Sequence, residues 1–405
     1  MKILTISPLP LYPWKTGLQH RIYNLFKPIH DSHQITVLSF ALDTPPTDSE
    51  QKHIDELFEE VVYIPNEEIA PDPVSRFRRI ISWFSPKEVN IGPAGRSHAM
   101  QVKLYEMLDS GNYDLLFVAS PFVLNYALNI YQVPVVFDAI DDTSLLFKRE
   151  IKRKRGIIGK LNGVKDWLVI RQMEKKFYGR FKQIVLTSAT DAKTMKSLCP
   201  NSDITVIPNG VDALEFEQKY DLTENPSLVF TGVMNYRPNE EAMLYFCREI
   251  LPTIQLIHPD IELTIVGRDP TPAIKGLEKQ YKKVTVTGTV DDINPYIGRS
   301  WVYVCPLISG AGIKNKVLEA WAARTPLVAT GLSCEGIEVS PNEDVLVGNT
   351  PSEFADQVMK LIEDRLLAKR LSDAGRKKVL ERYDWESKAK ALEAIVEKGL
   401  ADFKA

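Results

Sequence analysis

The chain has 405 residues, of which 44% are hydrophobic and 25% are charged, and its formal net charge is -3 at pH 7. This composition is typical of an ordinary globular protein and excludes a largely disordered chain. A net charge this small gives no overall attraction to nucleic acid, so we expect no nucleic-acid partner. The chain is longer than most chains that fold around a single hydrophobic core, so the length predicts two domains.

The beginning of the chain, MKILTISPLP, predicts a buried strand and no export signal. Its apolar run is shorter than the core of a signal peptide, and no apolar stretch reaches the ~18 residues of a membrane span. We therefore expect a cytoplasmic protein.

Short apolar runs alternate with helical or polar stretches along the first half, which is the pattern of successive βα units. The predicted strands cover residues 2–7, 35–40, 61–64, 115–120, 134–140, 183–188 and 204–212. We expect an N-terminal Rossmann-like domain over residues 1–212, followed by a polar linker over residues 213–226.

A second βα cycle begins at SLVFTG and defines a C-terminal domain over residues 227–382. Its predicted strands cover residues 227–232, 261–267, 283–288, 301–306 and 326–329. The predicted fold class is α/β, with two doubly wound parallel-sheet domains that face each other across a ligand-binding cleft.

The segment PLISGAGIKNKVLEAWAARTPLVAT, residues 306–330, has the composition of a phosphate site. A glycine loop at a helix start offers backbone N–H groups to an anion, and Lys314 and Lys316 add positive charge. Lys316 and Glu319 share one helix face, so the carboxylate can accept hydrogen bonds from the hydroxyls of a nucleotide's ribose. A surface Lys and Glu pair on an ordinary helix is the alternative.

Two common nucleotide-binding motifs are missing from the sequence. No GxGxxG follows the first strand, which disfavours an NAD enzyme, and no GxxxxGK[ST] is present, which disfavours a P-loop NTPase. The six histidines and four cysteines show no metal-ligand spacing, so we expect no metal and no cofactor.

An ordered set of motifs in the second half resembles family 4 (GT4) retaining nucleotide-sugar glycosyltransferases with the GT-B fold, of the bacterial exopolysaccharide type. The motifs are VIPNGVD, FTGVMNYRPN, LTIVGRDP, VTGTVDDINPYI, GAGIKNKVLEAWA and ERYDW. The resemblance implies sugar transfer from a UDP- or GDP-sugar to a sugar or lipid-linked acceptor. It also implies that residues 383–405 form a helix that crosses back to the N-terminal domain.

The resemblance assigns a role to each motif residue. Lys316 would bind the donor diphosphate and Glu319 the ribose, and both are expected to be catalytic together with Asp141 on the acceptor side. The other expected donor-binding residues are Gly17, Gly232, Arg237, Val290, Gly310, Ala311, Gly312 and Lys314.

The sequence also departs from the family pattern. Ala311 stands where a second glutamate is common, Val233 and Pro238 replace an Arg and a Lys, and Ile140 stands where a catalytic-site histidine is expected. Arg237 is the expected substitute for the missing cations. A non-catalytic GT-B subunit that binds a nucleotide sugar or a partner enzyme is therefore the alternative function.

Two segments mix basic and large apolar residues. Residues 148–182 carry thirteen Lys or Arg against three acids, and residues 74–84 read VSRFRRIISWF. Such segments predict peripheral contact with an anionic membrane surface, while a solvated helix face is the alternative.

Overall fold

The computed structural model describes residues 1–14, 16–41, 45–65, 97–151, 154, 156–218, 220–310 and 312–404. The chain divides into two compact units, Met1–Ile207 with Glu386–Ala405, and Pro208–Trp385. Residues 213–226, predicted as a linker, lie in the second unit, where Ala213 is part of the core.

Each unit contains one parallel sheet built from short, almost entirely apolar strands. Such runs fit strands that are covered by helices on both faces. The strands are β1 (Lys2–Ser7), β2 (Gln34–Phe40), β3 (Glu60–Ile64), β4 (Leu115–Val118), β5 (Val135–Ile140), β6 (Gln183–Leu186), β7 (Asp203–Val206), β8 (Ser227–Thr231), β9 (Glu262–Val266), β10 (Val284–Gly288), β11 (Val302–Cys305), β12 (Leu327–Ala329) and β13 (Leu346–Val347).

The helices lie mostly between successive strands, as in repeated βα units. Several begin with a capping box, in which a Thr side chain and a Glu or Gln three residues later satisfy the first N–H groups. They are α1 (Gly17–Phe26), α2 (Asp48–Leu57), α3 (His98–Ser110), α4 (Leu124–Ala127), α5 (Thr143–Ile151), α6 (Gly156–Phe177), α7 (Ala189–Leu198), α8 (Arg237–Tyr245), α9 (Leu251–Ile257), α10 (Pro272–Gln280), α11 (Asn294–Arg299), α12 (Asn315–Ala322), α13 (Pro351–Glu363), α14 (Arg365–Arg382) and α15 (Trp385–Lys404).

The strand order of both sheets reverses once. In the first unit it is β3-β2-β1-β4-β5-β6-β7, and in the second it is β10-β9-β8-β11-β12-β13. The prediction of two doubly wound parallel sheets is therefore confirmed. In such sheets ligands bind beyond the carboxyl ends of the strands where the order reverses, which here means beside β1 and β4 and beside β8 and β11.

Helix α12 is fixed in the second unit by the side chain of Trp321. The indole is fully buried, and its Nε1 donates a hydrogen bond to the carbonyl of Asp344 at 2.8 Å. Helix α14 packs directly on it, since a Cβ built on Gly375 would stand 2.3 Å from Trp321 Cδ1. The buried Arg376 on the same helix donates to the carbonyl of Ala322 at 2.6 Å, at the end of α12.

No helix within the described residues is both long enough and apolar enough to cross a membrane.

We predict that Gly375→Ala destabilises the second unit by about 1–3 kcal/mol, because an added methyl group overpacks the contact with the indole. Calorimetric unfolding would show a lower midpoint for this unit. Gly276→Ala is the matched control, since its Cβ would meet only Gln280 Nε2 at 3.7 Å and alanine favours the helix. Equal midpoints for the two variants would contradict this account of α12.

Candidate functional site

The residues predicted to bind the donor diphosphate and ribose lie at the strand-order reversal of the second unit. Strand β8 ends at Thr231 and is followed by Gly232, while the loop after β11 leads into α12. Helix α12 carries Lys316 and Glu319, whose side chains both reach the end of β8. The pair predicted from spacing alone therefore lies where this fold binds ligands.

Glu319 is half-buried and bonded to the end of β8. Its Oε2 accepts a hydrogen bond from Thr231 Oγ1 at 3.3 Å. Burial raises the pKa of Glu319, and the ammonium of Lys316 and the Thr231 hydroxyl oppose that rise. Lys316 therefore favours the ionised carboxylate, which is the form that accepts hydrogen bonds from two hydroxyls at once.

The ammonium of Lys316 lies above the last residues of β8. Its Nζ is 5.2 Å from the ring centroid of Phe230, and a Cβ on Gly232 would stand 2.9 Å from it. The loop after β9 approaches from the other side, because a Cβ on Gly267 would be 1.7 Å from the Gly232 carbonyl oxygen. Gly232 therefore allows α12 to approach the end of β8 through Lys316, and Gly267 allows the loop after β9 to approach the same place.

The loop before α12 has the backbone geometry that its glycines predict. Gly310 and Gly312 have φ values of +112° and +71°, and the largely buried Lys314 donates a hydrogen bond to the Gly312 carbonyl. Lys314 is the N-cap of α12, and its side chain does not cap the helix. The first N–H groups of α12 therefore remain uncapped by a side chain at the site. Ala311 lies outside the described residues.

Arg237 connects the start of α8 to the same loop. Its Nε donates to Glu241 Oε1 at 2.7 Å, and Glu241 Oε2 accepts from Ser309 Oγ at 2.7 Å. The Arg237 side chain remains exposed, and Pro238 approaches Gly310, whose built Cβ would lie 3.5 Å from the proline ring. Arg237 thus lies close to the glycine loop with its charge engaged by a carboxylate.

Val290 follows β10 and packs its half-buried side chain against the core of the second unit. Asp292, two residues later, accepts from the backbone N–H of Asn294 at 2.8 Å, at the first residue of α11. The Asp292 carboxylate is therefore engaged at the start of α11.

Sequence reasoning missed Thr231 and Tyr303, which support Glu319. The buried Tyr303 hydroxyl lies 2.6 Å from Thr231 Oγ1 and accepts from the Thr231 N–H at 3.2 Å. Both are polar residues inside apolar strands, which is the one signal that the sequence offered. Asn209 was also missed: its Nδ2 donates to Asn315 Oδ1 at 3.1 Å, which holds the start of α12.

Gly17 belongs to the first unit, whereas the other predicted donor-binding residues belong to the second. It is exposed and opens α1 behind Thr16, and a Cβ built on it would meet nothing within 4 Å. The loop before it is held by Gln19, whose Nε2 donates to the Pro10 carbonyl at 2.7 Å. Gly17 is therefore an accessible position at the carboxyl end of β1.

Asp141 lies at the carboxyl end of β5 behind a strained residue. Ile140 has a φ of +66°, a backbone conformation that costs energy for a β-branched side chain. Asp141 Oδ1 accepts from Thr187 Oγ1 at 2.8 Å. Beneath it, Asp138 is fully buried and forms an ion pair with the buried Arg21 at 2.9 Å.

A second pair of carboxyl groups is buried below the same loop. Asp142 Oδ1 caps α5 by accepting from the Leu145 N–H at 2.8 Å, and it also accepts from Ser144 Oγ at 2.7 Å. Glu174 Oε1 accepts from the Ser144 N–H at 3.2 Å. Asp142 Oδ2 and Glu174 Oε2 have no hydrogen-bond partner among the described residues. Burial and the nearby charge of Asp142 raise the pKa of Glu174 to about 8, so Glu174 is protonated at neutral pH.

Comparison with known proteins gives the same picture for both units. Residues 225–364 match the family model for glycosyl transferases group 1, and residues 16–213 match the model for glycosyltransferase family 4. Together the two models cover 140 plus 198 residues, or 338 of the 405.

Curated relatives and a solved structure cover most of the chain. The chain is 25% identical to a phosphatidyl-myo-inositol mannosyltransferase of Mycobacterium leprae, over 74% of this chain and 78% of the relative. It is 22% identical to an uncharacterized 44.6 kDa protein in the cps region of Klebsiella pneumoniae, over 68% and 70%. The structure of Anabaena HepE with UDP and glucose superimposes with a TM-score of 0.65 at 13% identity, over 98% and 99% of the two chains.

The raised pKa of Glu174 predicts how stability depends on pH. The carboxyl is protonated in both states below about pH 4.5, and the stability of its protonated folded form is lost as pH rises through about 8. The loss accumulates between about pH 4.5 and about pH 8, and at about 1.4 kcal/mol per pH unit it is on the order of 5 kcal/mol. We expect Glu174→Gln to flatten the fall in the unfolding midpoint between pH 5 and 9, measured by circular dichroism.

The exposed Glu397, on α15 of the same unit, provides the control variant Glu397→Gln. A parallel fall in midpoint for wild type and Glu174→Gln would show that the pKa of Glu174 is not raised in the folded protein.

Proposed function

The chain belongs to glycosyltransferase family 4, has the GT-B fold and transfers sugar from a nucleotide-sugar donor, and on that premise we propose that it is a retaining, metal-independent enzyme. Its acceptor is a hydroxyl of a sugar or lipid-linked sugar in polysaccharide or glycolipid assembly. The observation that carries the proposal is the convergence of Lys316, Glu319 and the uncapped start of α12 on the end of β8.

The donor diphosphate is bound by the start of α12 and by lysine. Backbone N–H groups at a helix N-terminus bind phosphate oxygens, and the two lysines, Lys314 and Lys316, add positive charge on the same turn. Lys316 is well suited to this role because the glycine at 232 leaves room for a phosphate beside its ammonium. No metal ion is needed to neutralise the diphosphate in this proposal, and no other cofactor takes part.

Glu319 binds the ribose hydroxyls that neighbour the diphosphate. Its position three residues after Lys316 fits the connection of ribose and phosphate in a nucleotide. Thr231 and Tyr303 orient the carboxylate, since their hydroxyl groups form a short chain that ends on Glu319 Oε2. A carboxylate fixed in this way can accept a hydrogen bond from each of two hydroxyl groups without rearranging.

Transfer requires that negative charge develop on the leaving nucleoside diphosphate. Fixed cations and backbone donors stabilise that charge best where water is excluded. We assign this task to Lys316, with Lys314 and the amides of Gly310 and Gly312. A phosphate oxygen of the leaving group then takes the proton of the acceptor hydroxyl on the same face of the sugar, so the anomeric configuration is retained.

The acceptor side involves Asp141 in this proposal. The strained Ile140 presents Asp141 at the carboxyl end of β5, and the Thr187 hydroxyl holds one of its oxygens. The other oxygen is available to orient an acceptor hydroxyl. A polysaccharide or lipid-linked acceptor is supported by relatives named for the cps region and for phosphatidyl-myo-inositol.

We predict that Lys316→Ala lowers the affinity for a nucleoside diphosphate by about 10- to 100-fold, since a hydrogen bond to a charged group contributes about 1.5–3 kcal/mol. The measurement is thermal-shift titration with UDP, GDP and their sugars, because a ligand that binds only the folded protein raises its unfolding midpoint. Glu319→Ala should weaken binding of the nucleotides while leaving binding of inorganic diphosphate nearly unchanged.

Lys279→Ala and Glu343→Ala, both at exposed positions of the same unit, are the matched controls. If no nucleotide raises the unfolding midpoint of the folded wild-type protein, the proposed donor site is wrong. Binding of a nucleotide sugar without transfer or hydrolysis would support the non-catalytic subunit instead.

The stereochemistry and the metal requirement form a separate prediction. With an α-linked donor, proton NMR of the first product should show an α-glycoside, and the initial rate should be unchanged by EDTA. A β-linked product would contradict retention, and a rate that falls with EDTA and returns with Mg²⁺ or Mn²⁺ would contradict metal independence.

A further inference from the structure

Helix α6 of the first unit exposes an unusual amount of apolar surface. Five of its large apolar side chains are exposed, and no other helix within the described residues contributes more than two. The most exposed are Ile157, Ile158 and Leu161, at 79%, 77% and 64%; Val164 and Leu168 follow at 36% and 45%. A patch of this kind on a protein surface marks a contact with something else.

Four of the five exposed apolar residues form one stripe along the helix. Ile157, Leu161, Val164 and Leu168 are spaced i, i+4, i+7 and i+11, which places them on a single helix face. The residues that bury α6 against its own unit are Gly163, Met173, Glu174 and Phe177. At 100° per residue these lie on the opposite side, so the stripe faces outward.

Positive charge surrounds the apolar stripe. Helix α6 carries five Lys or Arg, of which four are exposed: Lys160, Arg171, Lys175 and Lys176. Lys160 and Arg171 lie three residues after Ile157 and Leu168. The helix has only two acids. Asp166 is paired with Lys154 and Lys165, at 3.1 Å and 3.5 Å, and Glu174 is buried, so neither acid of α6 itself offsets the charge of its outward face.

We propose that the outward face of α6 lies on an anionic membrane surface. The stripe enters the boundary between headgroups and acyl chains, while the basic residues beside it contact lipid phosphates. Charge complementarity selects this occupant, because a row of aliphatic side chains flanked by cations fits the interface of an anionic membrane. A nucleic-acid backbone would find no polar contacts along the same row.

This inference goes beyond the proposed sugar transfer and rests on a different unit of the protein. Contact between α6 and the membrane places the enzyme beside lipid-linked acceptors, which are confined to the membrane surface. The other basic segment, residues 74–84, lies outside the described residues and takes no part in the argument.

The test is flotation of the full-length protein with vesicles of phosphatidylcholine alone or of phosphatidylcholine and phosphatidylglycerol in equal parts. We expect wild-type protein to float with the anionic vesicles and to be released by salt. Ile157→Ser with Leu161→Ser should lower the partition coefficient at least about tenfold, through lost apolar burial. Lys160→Gln with Arg171→Gln should lower it roughly 25-fold on anionic vesicles only, at about fivefold per charge.

Leu256→Ser, at an equally exposed apolar position on α9 of the second unit, is the control and should float like wild type. Unfolding midpoints and nucleotide affinity of every variant verify that the fold and the donor site are intact. The proposal is overturned if wild-type protein does not float with anionic vesicles, or if the α6 variants float with them as wild type does. A concentration-dependent dimer that Ile157→Ser abolishes would instead assign the stripe to a second copy of the chain.

Discussion

The packing of Trp321 against α14 is the contact on which the position of α12, and with it the proposed donor site, depends. Helix α12 is only eight residues long and has a charged outer face, so its own hydrogen bonds do not fix its position. The buried indole, the backbone of α14 at Gly375 and the guanidinium of Arg376 hold its inner side. Because the inner side is rigid, the lysine and the glutamate on the outer side keep one orientation relative to the end of β8.

Much of this arrangement followed from local sequence patterns. Apolar runs of four to seven residues predicted the strands, and the glycine loop with its two lysines predicted the start of α12. The contacts that orient the site were out of reach because they join distant positions: Thr231 bonds to residues 72 and 88 positions later, and Arg21 pairs with Asp138 across 117 positions. The boundary near residue 212 was equally hard to predict, since Ala213 lies in the core of the second unit and its carbonyl accepts a hydrogen bond from Arg376, 163 positions later.

The two units use buried charge in different ways. In the second unit, burial raises the pKa of Glu319, and the lysine beside it opposes that rise. In the first unit, Asp138 is paired with Arg21, whereas Glu174 lies beside another acid and stays neutral. The neighbours of a buried carboxyl group therefore decide whether they oppose or reinforce the effect of burial on its pKa.

The assignment of residues 386–405 to the first unit sets the order in which the protein can be completed on the ribosome. Helix α15 covers that unit's sheet, with Gly399 close to Gln183 and Val136, and Glu393 bonds to His33 at 2.8 Å. Residues 208–385 are translated before most of this helix. The second unit is thus the first to have all of its chain, and the first unit closes its core only after α15 has been made.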